Sequence, residues 1–322
     1  MAVEPDGREN SKVGWAKVKP IFFMMVGLPG SGKSYQAEKL SKEHDANIHS
    51  SDAIRKELFG SESSQEDNNE VFNVLSERIK TDLRNGKSAI HDATNIDYKR
   101  RKAFVESLNK LDCWKICVFI ATPFKTCVAR NNGRDRVVPQ YVMDRMYKHI
   151  YIPQNYEGWD DIIIKLDYDP KNFDINELFN GENGLNFISQ DNPHHTLTIG
   201  KHCLQCAVNT EALLGKDFNF ELCQAALFHD IGKRCTKEFT DSKGNQSDQA
   251  HYYQHHLVSA YDSLFYVGAD DNTKLKIANY IQWHMQPFFM ESDKAKDKYK
   301  NLWGDSFYND IMILHKADET AK

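Results

Sequence analysis

Two groups of residues in this 322-residue chain have the types and spacing to do chemistry. The first is Gly27-Leu28-Pro29-Gly30-Ser31-Gly32-Lys33-Ser34, which fits G-x-x-x-x-G-K-[ST]. Its glycines, Gly27, Gly30 and Gly32, let the backbone around Ser31 curl so that successive N–H groups point at phosphate oxygens. Lys33 adds a positive charge at the outer phosphates, and the Ser34 hydroxyl is a ligand for Mg²⁺. The ligand for such a loop is a nucleoside triphosphate. The second group is histidine-rich, nine of the thirteen histidines falling after residue 190. His229-Asp230 emerges from an apolar helical run, and a buried His-Asp pair needs partners, of which a metal is a good one. His202, His255, His284 and Asp318 fall on other helical stretches. Imidazoles and carboxylates drawn together from several helices suit Mn, Fe, Co, Ni or Zn better than Mg²⁺. Two such metals sharing an aspartate would activate water and clamp a phosphate for in-line attack.

The elements that must position these groups follow from periodicity. From Pro20 to about Leu166 short apolar runs (21–26, 46–49, 88–91, 114–120 and 162–166) alternate with helical stretches, which predicts βαβ units and a parallel sheet. Residues 61–70 are polar and acidic and predict a surface loop or helix start. The segment 168–184 is rich in Asp, Asn, Pro and Gly and places a boundary there. Beyond it apolar positions recur at helical spacing (Leu204, Ala207 and Val208 first), with no strand alternation, so the second half is expected to be all-α. The division is a flexible tail 1–18, an α/β domain 19–170, a linker 171–185 and an all-α domain 186–322.

Composition narrows the classes. The chain is 40% hydrophobic and 27% charged, as expected of a soluble globular protein. Residues 1–11 lack the apolar core of a signal peptide, and no apolar run approaches a membrane span. Seven cysteines without disulfide-domain spacing suit a reducing cytoplasm, and Cys203-x-x-Cys206 reads as a buried apolar pair. With a net charge of −5, any nucleic acid must be held in a local basic groove.

In an open parallel sheet, ligands collect at the carboxyl ends of the strands. Asp52 ends the second apolar run, with Arg55 one helical turn on. A carboxylate there can take a proton from an attacking hydroxyl while the arginine holds an acceptor phosphate. Alone, the pair reads equally well as a helix cap and a solvent arginine. Asp92 ends the third run. The basic run Lys99-Arg100-Arg101-Lys102 lines an acceptor groove or is a solvated helix face. Residues 130–139, with Arg130, Arg134 and Arg136, have the composition of a lid that closes over the triphosphate.

The ordered set Gly27–Ser34, Asp52-Ala53-Ile54-Arg55, Asp92-Ala93-Thr94-Asn95, the arginine-rich lid and Met143-Asp144-Arg145-Met146-Tyr147 resembles the 5′-kinase domain of phage-type polynucleotide kinases over residues 20–167. The resemblance implies ATP or another NTP with Mg²⁺ on Lys33 and Ser34. It makes Asp52 the general base for a 5′-hydroxyl, places Arg55 on the neighbouring phosphate and Asp92 behind the acceptor site, and makes Arg134, rather than Arg130 or Arg136, the lid contact to donor phosphates.

The second set, His202, His229-Asp230-Ile231-Gly232-Lys233, His255-His256-Leu257-Val258-Ser259-Ala260, His284 and Lys316-Ala317-Asp318, resembles the HD-domain phosphohydrolases over 186–322. That resemblance implies a metal centre of His202, His229, Asp230 and Asp318, with His255 and His284 as the extra ligands of two-metal members and Lys233 on the scissile phosphate. His256 competes with His255, which is preferred because it stands five residues before Ala260. His194, His195 and His251 rank as outer contacts and His315 as structural.

Together the halves are similar to bifunctional end-healing enzymes that pair an HD domain with a polynucleotide kinase, here in the reverse order. The expectation is RNA end repair: phosphorylation of 5′-hydroxyl ends and removal of 2′,3′-cyclic phosphate, or 2′- or 3′-phosphate. The substrate is RNA, with DNA as a further candidate, in cooperation with an RNA ligase and without a membrane. One alternative is a small-molecule or nucleoside kinase fused to an HD nucleotidase. Another is a non-catalytic, nucleotide-sensing RNA-binding regulator.

Overall fold

A computed structural model describes residues 19–62, 64, 66–193 and 196–322. The expected tail 1–18 and the candidate contacts His194 and His195 lie outside the described residues.

The apolar runs of the first half become the strands of one sheet, in which residues 22–26, 89–91 and 117–121 are buried. β1 (Ile21–Val26), β2 (Asn47–Ser50), β3 (Ala89–Asp92), β4 (Trp114–Ala121) and β5 (Asp161–Leu166) form one parallel sheet in the order β2-β3-β1-β4-β5. Parallel neighbours need crossovers, which the helices supply. These are α1 (Lys33–His44), α2 (Ser51–Phe59), α3 (Asn68–Arg84), α4 (Tyr98–Ser107), α5 (Phe124–Asn132) and α6 (Gln140–Lys148). Val71, Leu75, Ile79 and Leu83 make the buried stripe of α3, at helical spacing. The acidic stretch 61–70 runs into that helix, with Asp67 accepting from the N–H groups of Asn69 and Glu70 as its cap. β1 is central, so the loop that follows it, the end of β2 and the end of β3 share one edge.

The second half is built of helices: α7 (Ile175–Asn180), α8 (Ile199–Leu214), α9 (Phe220–Phe228), α10 (Lys233–Thr236), α11 (His255–Tyr266), α12 (Asp271–Trp283), α13 (Asp293–Trp303) and α14 (Asp305–Glu319). Among the described residues no helix is long and apolar enough to cross a membrane. One expectation needs correction. The half is not purely helical, because β6 (Lys237–Thr240) and β7 (Gln246–Tyr252) pair as an antiparallel hairpin. Its strands are mostly polar and of their residues only Ala250 is buried, so no apolar alternation marks them; the turn is held by the Asp241 carboxylate accepting from the N–H groups of Lys243 and Asn245. The segment 171–185 carries α7, whose Leu178 and Phe179 are buried. On α8 the buried face is Ile199, His202, Cys203, Cys206 and Thr210, while Leu204 and Val208 face outward, because that helix turns its imidazole rather than its larger apolar side chains to the core.

One apolar cluster runs from β1 and β4 through α6 into α9, α11, α12 and α14. Polar ties cross the same boundary: the Tyr147 hydroxyl donates to Asp262 Oδ1 at 2.6 Å, and the Ile152 N–H donates to Gln282 Oε1 at 2.7 Å.

The basic run at 99–102 is only partly surface. Arg101 is 1% exposed, and its Nε and Nη2 each donate at 2.7 Å to the carboxylate of fully buried Glu157. Nη1 reaches the Asn95 carbonyl at 2.9 Å, and Glu157 also accepts from Trp159 Nε1 and the Gln154 N–H. Arg101 therefore braces the loop behind the nucleotide strand instead of lining a groove. Removing one partner strands a buried charge. Arg101→Met is expected to lower unfolding free energy by about 3–5 kcal/mol, and the double change Arg101→Met/Glu157→Leu to cost less than that single change, both measured by urea denaturation.

Candidate functional site

After Val26 the chain turns at Gly27, with φ at 153°, where a Cβ would stand 2.6 Å from the Ile120 carbonyl oxygen. At Gly30, φ is 79° and a Cβ would stand 2.3 Å from the Cys127 carbonyl oxygen. Side chains at either position would push the loop off the sheet edge. Gly32 caps α1 with no side-chain bond to the first turn, so those N–H groups face an anion site at the positive end of the helix. Ser31 Oγ is buried with no hydrogen-bond partner. Lys33 folds back and donates to the Leu28 carbonyl at 2.8 Å. Burial lowers its ammonium to about 8, against the pull of Asp92. The Ser34 hydroxyl donates to Asp92 Oδ2 at 2.9 Å. Burial raises the Asp92 carboxyl, and Lys33 and Ser34 only partly offset this. Hydroxyl and carboxylate together fit Mg²⁺, a hard cation that takes oxygen ligands. The structure thus sets Asp92 beside the Ser34 hydroxyl at the start of α1. Its loop is stitched to the nucleotide strand: Gly27 N–H donates to Thr94 O at 3.0 Å, and Asn95 Nδ2 donates to Met25 O at 2.8 Å.

Ser50, not Asp52, caps α2. Asp52 sits in the first turn and receives two guanidinium groups on Oδ1, from Arg55 at 2.9 Å and Arg136 at 3.0 Å. Arg55 Nη2 donates to Asn68 Oδ1 at 3.0 Å, while its Nε is buried without a partner. Of the lid arginines, Arg130 is turned away to Asp167 at 2.6 Å, and Arg134 is exposed with its charge felt at Lys33 and Asp92. Arg136, passed over in the sequence reading, is the lid residue that touches the candidate base. Its position follows from a clamp two residues on, where the Asn131 side chain pairs with both the N–H and the C=O of Val138. Local composition carries no trace of that clamp.

The histidine set converges. Each of four buried rings donates Nδ1–H to a backbone carbonyl: His202 to Ala321 at 2.6 Å, and His229 to Ala226, His255 to Tyr252 and His284 to Ile281 at 2.7 Å each. A carbonyl only accepts, so Nδ1 carries a proton in each ring, and in the neutral ring Nε2 is the nitrogen that offers a lone pair. The four Nε2 atoms face inward in two pairs, His202 with His229 at 3.1 Å and His255 with His284 at 3.3 Å. Asp230 lies between the pairs. Its Oδ2 is 3.2 and 3.3 Å from His202 and His229, and its Oδ1 is 3.2 and 3.8 Å from His255 and His284. Asp318 Oδ1 is 3.0 Å from His202 and 3.4 Å from His229. Asp230 Oδ1 is buried without a hydrogen bond. Lone pairs facing lone pairs and carboxylates, each fixed from behind by a carbonyl, are a donor set that fits metal. Burial would strip charge from His229, yet Asp230 and Asp318 outweigh it and hold the ring well above the usual imidazole range. Burial would likewise raise Asp230, but His229 and Lys233 hold it well below the usual carboxylate range. The centre demands positive charge.

Lys233 Nζ lies 2.6 Å from Asp230 Oδ2 and donates to Gln190 Oε1 at 2.7 Å. Gln190, 43 residues upstream, went unseen in the sequence. His255 rather than His256 belongs to the donor groups. His251 is turned to Ser247 and stacks on Tyr253, and His315 lies edge-on to Phe288.

Residues 22–153 match the family model described as an AAA domain. An L-seryl-tRNA(Sec) kinase of Methanococcus maripaludis is 28% identical over 166 residues, which are 50% of this chain; the chain spans 64% of that relative's length. Among solved structures, a sugar kinase of Janibacter sp. HTCC2649 is 16% identical, with a TM-score of 0.35 over 46% of this chain and 85% of its own. A gluconokinase of Sinorhizobium meliloti 1021 is also 16% identical, with a TM-score of 0.35 over 47% of this chain and 85% of its own. The first half is thus a parallel sheet with flanking helices that carries a P-loop and, over residues 22–153, is similar to AAA domains.

Proposed function

We propose that the chain is a two-centre enzyme, an NTP-dependent kinase of a small hydroxyl-bearing acceptor in the first half and a metal-dependent phosphohydrolase of the HD type in the second. The observation that carries the kinase reading is the convergence on one sheet edge of Lys33, the Ser34–Asp92 pair and Asp52 with its two guanidinium groups. Phosphoryl transfer asks the protein mainly for positioning and charge stabilisation. Lys33 and the open N–H groups hold the donor, Arg134 and Arg136 close over it, and Asp52 accepts the proton of the attacking hydroxyl. Bound Mg²⁺ would neutralise donor phosphate charge from the Ser34–Asp92 side. The kinase relative, by its name, supports phosphoryl transfer.

In the second half His202, His229 and Asp230, with Asp318 beside both rings, would hold one metal, and Asp230, His255 and His284 a second. Such metals supply a water acidic enough to attack phosphorus. The chain's own part is to fix the six ligands and to keep Lys233 facing the phosphate.

RNA end healing is the second reading. Arg55 Nε, buried and unpartnered beside Asp52, favours an acceptor whose hydroxyl neighbours an anionic group, as a polynucleotide end does. The kinase relative, by its name, acts on an RNA-borne group. Competition between nucleosides, sugars and 5′-hydroxyl oligonucleotides for the γ-phosphate of labelled ATP separates the readings. The first predicts that small acceptors are labelled with the higher kcat/KM; preferential labelling of oligonucleotides would replace it with the second.

With the accepted substrate, Asp52→Asn is expected to lower kcat by about 10²–10⁴-fold and to leave NTP affinity within about threefold. Asp230→Ala is expected to abolish metal-dependent phosphate release and spare transfer. Phosphate release from Asp230→Ala at the wild-type rate would remove the second centre from the account.

NTP affinity should also depend on pH through Lys33. The ammonium loses its proton above about 8 in the free protein, and triphosphate favours the charged form. The dissociation constant should therefore rise above that pH, by up to about tenfold per unit, with proton uptake on binding. Calorimetry in buffers of different ionisation enthalpy measures this; Lys33→Arg, which stays charged, should flatten the slope.

A further inference from the structure

Helix α11 reaches both centres. It begins at His255, one of the metal-facing imidazoles. Ser259, one turn on, accepts the Gly232 N–H at 2.8 Å and so holds the turn that carries Lys233. Tyr261 then points into the first half. Its ring is fully buried against Phe119, Tyr147 and Phe265. Its hydroxyl makes two bonds to one residue of the kinase half, accepting the Thr122 N–H at 3.2 Å and donating to the Thr122 carbonyl at 2.8 Å. Thr122 follows β4, is itself fully buried, and donates its Oγ1 to the Ser31 carbonyl at 3.1 Å.

The last bond matters because of peptide geometry. In a planar trans peptide the C=O and the following N–H point in opposite directions. Pulling the Ser31 carbonyl toward Thr122 therefore aims the Gly32 N–H the other way, toward the side on which the loop receives phosphate. A glycine-rich loop has little side-chain packing of its own to enforce that direction. Thr122 enforces it, and Thr122 is fixed on both backbone atoms by the Tyr261 hydroxyl. All of these groups are out of water, so each lost bond leaves a buried polar atom unmatched.

We infer that Tyr261, supplied by the second half, is a positioning residue for the phosphate-binding loop of the first. The inference rests on the NTP reading of that loop and adds to it a residue 139 positions from the threonine it holds. It also gives the fusion of the two halves a physical role, since the loop is only partly supported by its own domain.

The test uses the full chain. Tyr261→Phe keeps the ring and removes the hydroxyl; Thr122→Val keeps the shape and removes Oγ1. The dissociation constant of a non-hydrolysable ATP analogue with Mg²⁺ is measured by calorimetry, with KM and kcat for transfer. Each change is expected to weaken binding about tenfold, which is about 1.4 kcal/mol. KM for NTP should rise with kcat at saturation within about twofold, because ground state and transition state use the same loop. The double variant should be little worse than either single one, since both act through one chain of bonds. Mn²⁺ binding at the histidine centre, read by electron paramagnetic resonance, should be unchanged in Tyr261→Phe and shows that α11 is in place. An unchanged dissociation constant in Tyr261→Phe, or fully additive effects, would overturn the inference. Should that variant fail to fold, Thr122→Val decides alone, and wild-type affinity there overturns it. A wild-type chain that does not bind the analogue, or binds it equally well as Lys33→Ala, fails the NTP reading itself and the inference with it.

Discussion

Asp230, 2% exposed, stands among four imidazole rings and an ammonium. A carboxylate that far from water is tenable only if its surroundings are held facing it. The chain does this from behind. Every ring is turned by an Nδ1–H bond to a backbone carbonyl, and three of those carbonyls lie three residues before their own histidine. The backbone thus sets the directions of the four rings, and α8, α9, α11, α12 and α14 pack so that those directions meet at one point.

The same rule governs the other centre. Lys33, Arg101, Glu157 and Asp92 are all charged groups withdrawn from water in the first half, and each is answered by a partner delivered by the parallel sheet or its loops. Because every strand runs the same way, the nucleotide loop, Asp52 and Asp92 arrive at one edge without any long-range instruction beyond strand order. Arg101 and Glu157 then brace the Asn95 loop, and Thr122 braces Ser31. The two halves share an apolar cluster, so the helical half closes the sheet's flank as well as carrying its own centre.

Much of this could be read from the chain because it is local. The glycine loop, the apolar runs of β1 and β4 and the word His229-Asp230 each carry their meaning within a few residues. The histidine set was readable at longer range because imidazoles concentrated on apolar helices are expensive unless they meet something. What was hidden is pairwise and distant. Arg101 looks like part of a solvated basic run until Glu157, 56 residues on, is seen beside it. Arg136 and Arg134 have the same local composition, and only the Asn131 clamp tells them apart. The β6–β7 hairpin is mostly polar and leaves no periodic signal. Leu204 and Val208 mark the wrong face of α8 because the buried face belongs to His202, Cys203 and Cys206, which hydrophobic spacing underweights. Tyr261 and Thr122 carry no motif at all.

One chain, on this reading, holds a triphosphate-binding loop and, separately, a metal-binding histidine centre. A crystal structure of the full chain grown with Mn²⁺ and a non-hydrolysable ATP analogue, with anomalous scattering recorded at the manganese edge, tests it most directly. The γ-phosphate is expected on the N–H groups before α1 with Lys33 moved off the Leu28 carbonyl, and anomalous density on both oxygens of Asp230 among His202, His229, His255 and His284. Nucleotide bound elsewhere, or no anomalous density at Asp230 with manganese ordered at other sites, would contradict it.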